Sequence, residues 1–84
     1  MTIQESWALS AERIEEYLLG LEQARQLAEA RYEIDGCEIC LQPLEESKVS
    51  GFAFPRTLVT FSGGECEVKR FHRQFVLRFL TLGG

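Results

Sequence analysis

With 84 residues, 45% of them hydrophobic and nine of them aromatic, the chain has the makings of one small globular domain and not of a disordered tail. Three cysteines are an odd number, which argues against a disulfide framework. No apolar run approaches the roughly 18 residues of a membrane helix. The net charge of −4 is unevenly spread: residues 1–36 hold eight acids and three bases, a balance of −5, and residues 37–84 hold five acids and six bases, a balance of +1.

The N-terminus lacks the basic-then-apolar layout of a secretory leader, so a cytoplasmic home is expected. In residues 1–9, Ile3, Trp7 and Leu9 fall on alternate positions, which fits an arm or a short strand. Ser10 is a suitable N-cap, and Leu9 with Ile14 forms a hydrophobic staple. The spacing of Ile14, Tyr17, Leu18, Leu21, Ala24, Ala28 and Tyr32 predicts one long amphipathic helix over residues 10–35. Gly20 weakens it by about 1 kcal/mol relative to alanine. A second stripe of Leu19, Gln23, Leu27 and Ala30 falls almost opposite, more apolar surface than one sheet can cover.

At Asp35-Gly36 the hydrophobic period changes from helix-like to strand-like, with Gly36 read as the residue that ends the helix. Residues 37–82 are expected to form an antiparallel sheet. Within it Cys37–Leu41 reads as a strand, Glu45–Ser50 as a polar loop, Gly51–Phe54 as a short apolar segment and Thr57–Phe61 as a strand. Gly63-Gly64 suits a two-residue hairpin that pairs Phe61 with Cys66 and Val59 with Val68. Beyond Arg70 the parity flips, and a bulge near His72 would restore it. A C-terminal helix using Phe71, Phe75, Phe79 and Leu82 competes with this strand, and the strand is preferred. The expected architecture is therefore α+β, a single domain with a long N-terminal helix packed on a three- to four-stranded antiparallel sheet.

Cys37, Cys40, Cys66 and His72 are the candidate metal ligands. On a strand, residues three apart face opposite sides and lie about 10 Å apart, a poor zinc geometry. Core cysteines and a surface histidine are the preferred reading, with no metal and no cofactor. One histidine, one aspartate and glutamates strung along a helix offer no catalytic constellation, and no glycine-rich loop cradles phosphate. No enzymatic activity is expected.

The stretch containing Lys69, Arg70, Arg73 and Arg78 interleaves cations with Phe71, Phe75 and Phe79, a composition used by single-strand nucleic-acid binders. In a strand the phenylalanines would be core and the cations would line the outer face. An acidic protein partner fits that arrangement better than nucleic acid does. The ending Leu80-Thr81-Leu82-Gly83-Gly84 resembles the tails of ubiquitin-like modifiers and sulfur carriers. That resemblance implies a β-grasp fold and adenylation of the terminal carboxylate. Such folds open with a β-hairpin before the helix, whereas here at most one strand precedes Ser10.

The expected function is that of a small non-enzymatic adaptor or regulatory domain. It binds another protein, or a second copy of itself, through Leu19, Gln23, Leu27 and Ala30 and through Lys69, Arg70, Arg73 and Arg78. The alternatives are a C-terminal Gly-Gly carrier and a nucleic-acid-binding module using the basic last strand; a membrane partner is not expected.

Overall fold

A computed structural model describes residues 1–82. The chain is α+β, with strand β1 (Thr2–Trp7), helix α1 (Ala11–Leu19), strands β2 (Ala24–Ala28), β3 (Arg31–Ile34), β4 (Cys37–Val49) and β5 (Phe52–Gly63), and helix α2 (Glu65–Leu82). The five strands form one antiparallel sheet in the order β1-β5-β4-β3-β2. This corrects the expectation of a long N-terminal helix on three or four strands.

The predicted 10–35 helix stops at Leu19. Ser10 caps it, its hydroxyl accepting from the Arg13 amide at 3.2 Å. At Gly20 the amide bonds back to Glu16 and Tyr17, tightening the last turn, and the chain turns away. Residues 24–34 then pair as the β2–β3 hairpin, although Glu, Gln, Leu, Arg and Ala are good helix formers. Pairing wins because Tyr32 and Ile34, two apart, bury completely against Ile39 and Cys37 of β4.

Asp35 (φ 48°) and Gly36 (φ 86°) are not a helix end but a two-residue hairpin turn between β3 and β4, both central residues having the positive φ such turns need. Ser50 (φ 51°) and Gly51 (φ 81°) make a second one, joining β4 to β5. The supposed polar loop 45–50 and the short segment 51–54 are thus the far end of one long hairpin.

No hairpin forms at Gly63-Gly64. Phe61 pairs with Ile39 on one side and Ile3 on the other, and the chain enters α2 at Glu65. The preferred reading of 71–82 as strand is therefore wrong, and the helical alternative holds for Phe71, Phe75 and Phe79, which are all buried. Leu77 decides between them: on a strand it would share their face, yet it is 54% exposed. Glu65 and Glu67 in the first turn suit the positive end of the helix dipole.

Both helices lie on one face of the sheet. Ile14 and Leu18 from α1 and Val68, Phe71, Phe75 and Phe79 from α2 close over Tyr32, Ile34, Cys37, Ile39, Leu41, Val59 and Phe61. Phe75 is the hub, with ring centroids 5.2 Å from both Trp7 and Phe61 and 4.8 Å from Phe79. Thr57, the one buried polar side chain among the described residues, donates its hydroxyl to the Leu9 carbonyl at 2.7 Å, anchoring the link between β1 and α1.

Candidate functional site

The architecture leaves three surfaces to consider: the outer side of the helix layer, the helix-free face of the sheet, and the far end of the β4–β5 hairpin. The register assigns Cys37, Ile39, Leu41, Val59 and Phe61 to the helix side. Residues of opposite parity therefore face away: Glu33 from β3, Glu38, Cys40, Gln42 and Leu44 from β4, and Arg56, Leu58, Thr60 and Ser62 from β5.

On the β2–β3 side this open face is a charge ladder. Arg25 pairs with Glu33, and Arg31 Nη2 lies 2.7 Å from Glu38 Oε2. That carboxylate, by hydrogen bond first and by charge second, holds the Arg31 guanidinium above its usual pKa. Leu27, Glu33, Glu38 and Ser62 line an open depression of about 430 Å³. Toward β1 the face carries the polar Thr2, Gln4 and Ser6.

The four residues of the expected second stripe do not come together. Leu19 ends α1, Gln23 sits in the following turn, Leu27 lies on β2 beside the open depression, and Ala30, with φ 61°, packs against the core in the β2–β3 turn. A stripe needs one helix, and the helix ends at its first member.

The basic residues fare differently. Lys69, Arg70 and Arg73 project from the solvent side of α2, with Leu77 and Leu80 continuing the same side one and two turns on. Lys69 Nζ pairs with Glu65 at 2.7 Å. Arg70 and Arg73 make no ion pair among the described residues. Arg78 turns aside, its guanidinium 5.6 Å above the Tyr17 ring, where it helps line a cleft of about 340 Å³ with Arg13, Glu16 and Phe79.

The candidate metal ligands are scattered. Cys37 is buried in the core, where loss of hydration pushes its thiol up to about 11 against a smaller opposing effect of a backbone hydrogen bond at Ser62. Cys40 is on the helix-free face, Cys66 is exposed on α2, and His72 Nε2 is held 2.9 Å from Glu5 Oε1. Among the described residues no three His, Cys, Asp or Glu side chains are grouped to hold a metal. Among the described residues no helix is long and apolar enough to cross a membrane.

Residues 4–84 match the archaeal MoaD-like protein family, which is nearly the whole chain. The chain belongs to that family. No curated protein matches it. As an archaeal MoaD-like domain it has one strand, not a hairpin, before α1, and that strand pairs antiparallel with β5. The tail residues Gly83 and Gly84, on which the carrier resemblance rests, lie outside the described residues.

Sequence reasoning missed one surface altogether. From Gln42 to Arg56 no residue is buried, yet Val49, Phe52 and Phe54 are all large and apolar. The signal was present: Val49 and Phe52 flank a Ser-Gly pair suited to a hairpin turn.

Proposed function

We propose that this archaeal MoaD-like domain is a non-enzymatic interaction domain that binds an acidic protein partner through the solvent side of α2. The carrying observation is the juxtaposition there of Arg70 and Arg73, neither engaged in an ion pair among the described residues, with the exposed Leu77 and Leu80. Two cations that give up little internal pairing can steer and orient an acidic surface, while the leucines give it apolar contact to bury. The test is capture from the native source, run in parallel with wild type and an Arg70→Glu, Arg73→Glu variant. An acidic partner held by wild type, released by moderate salt and lost from the folded variant supports the reading. Equal capture by both proteins removes it.

A second reading is a carrier activated at its terminal carboxylate. The family match and the Gly83-Gly84 tail favour it. It predicts that an activating enzyme adenylates Gly84 and that deleting Gly83-Gly84 abolishes activity. Unchanged activity after the deletion eliminates it.

A further inference from the structure

The β4–β5 hairpin outruns its neighbours. Strand β3 pairs with β4 only as far as Cys40, and β1 pairs with β5 only from Thr57 onward. The remaining part, from about Leu44 through the Ser50-Gly51 turn to Arg56, is a two-stranded arm with both edges unpaired. Such a ribbon has little stability of its own in water.

The arm is two-sided. Its cross-strand pairs are Leu44 with Arg56, Ser47 with Phe54 and Val49 with Phe52. These continue, beyond a bulge between Leu44 and Ser47, the helix-free row of Gln42 and Leu58. One face of the arm is therefore an apolar strip running from Leu58 and Leu44 to Phe54, Phe52 and Val49. The last three are 45%, 67% and 57% exposed. Taking about 200 Å² for a phenylalanine, they leave roughly 300 Å² of apolar side chain in water. Patches of that size on a single soluble domain are often functional.

The edges are protected against strand addition while the face is not. Pro43 and Pro55 each lack the amide a new strand would use, the bulge at Glu45-Glu46 bends β4 opposite Pro55, and Lys48 adds charge. An occupant must therefore come onto the face. Its rows include only one ionised side chain, Arg56, so the acids of a chain with net charge −4 are kept out of the contact.

The strip is also complementary to itself. A two-fold axis lying in the face between the Phe54 and Arg56 rows sets Phe52 of each copy over Leu58 of the other. It also sets Phe54 of each over Arg56 of the other, Ser47 over Leu44 and Val49 over Gln42. Phe52 then meets Leu58 twice, Val49 lies on the aliphatic stem of Gln42, and each guanidinium meets a phenyl face. Arg56 already anchors to Ser6 Oγ through Nη2 and has further N–H groups to spare. We infer that the helix-free face of the β4–β5 arm is the contact through which two copies of this chain associate, antiparallel and face to face.

The strip is well short of the roughly 800 Å² per partner of a durable interface, so the dimer should be weak and reversible. Sedimentation velocity from about 10 μM to about 1 mM tests it, a range that covers weak, reversible association. The expected result for wild type is a mass average rising toward the dimer. A folded Phe52→Glu, Phe54→Glu variant should stay monomeric throughout, and Leu77→Glu, Leu80→Glu on α2 should associate as wild type does. A wild type that stays monomeric at the highest concentration overturns the inference, even where the arm variant loses a different protein. Self-association that survives the arm substitutions, or that is lost only with those on α2, overturns it too. The partner proposed for α2 is independent of this result, because the two sites lie on opposite sides of the sheet.

Discussion

Glu5 and His72, 67 residues apart, meet with Oε1 and Nε2 separated by 2.9 Å and so fasten α2 to the edge strand β1. The same oxygen accepts from Trp7 Nε1 at 3.2 Å, and Trp7 packs edge-on against Phe75. Replacing Glu5 by alanine deprives two half-buried ring nitrogens of one acceptor. The expected loss is about 1–2 kcal/mol. Urea unfolding followed by the emission of Trp7, the single tryptophan, reads it directly, and Glu5→Gln should recover part of it. An alanine variant with an unchanged midpoint would show that this contact contributes nothing.

Phe75 touches Trp7, Tyr17, Phe61, Phe71 and Phe79, joining both helices to the sheet. Phe75→Ala should cost about 3–5 kcal/mol. That is a large share of the stability expected of a domain this size, about 4–12 kcal/mol. Guanidinium titration should show a sharply lowered midpoint, and a shift worth under about 1 kcal/mol would contradict the packing.

Gly63 and Gly51 make a matched pair. Both have positive φ, at 142° and 81°, but a Cβ on Gly63 would lie 2.6 Å from the Gly36 carbonyl oxygen, and one on Gly51 meets nothing. Gly51→Ala should cost about 1 kcal/mol, from backbone strain alone. Gly63→Ala should cost well over twice that, since the β3–β4 turn must also move. Equal losses in thermal melts would mean the two turns do not approach as described.

Burial first, and then the hydrogen bond to Glu15, raise the Tyr32 hydroxyl from 10.0 to about 12, while burial raises the Cys37 thiol from 9.0 to about 11. Both folded values lie above the unfolded ones. Their contribution is therefore complete below about pH 9, and it is lost as pH climbs from 9 through 12, where the unfolded chain gives up protons the folded chain keeps. Unfolding midpoints should fall steeply between pH 9 and 11. Cys37→Ala should flatten the lower part of the fall, and a level profile across that interval would refute the assignment.

The sequence showed part of this domain clearly and part of it misleadingly. The capping role of Ser10 and the strand character of Cys37–Leu41 and Thr57–Phe61 were legible, because each depends on residues close in the chain. Residues 24–34 were not, because Ala24, Ala28 and Tyr32 satisfy a helical period while Tyr32 and Ile34 satisfy a strand period. The available discriminator is Asp35-Gly36 between two alternating runs, a pair that suits a hairpin turn as well as a helix end. The open side of α2 is visible as a basic stretch, yet which residues share that side depends on the stretch being helix and not strand. The arm at Val49, Phe52 and Phe54 looked like loop because its apolar residues bury nothing within the chain.

By itself, then, the sequence determined the local features: where the chain can turn, which residues prefer water, and that acid gathers in the first half and base near the end. Tertiary structure decided what local preference leaves balanced. Cross-strand burial of Tyr32 and Ile34 converted a helix-prone stretch into a hairpin. The gap left over Val59 and Phe61 drew Phe71, Phe75 and Phe79 into a second helix, and with no third layer to cover it the far end of β4–β5 stayed open. Each outcome follows from where apolar surface could be buried, a quantity that exists only once the whole chain is in place.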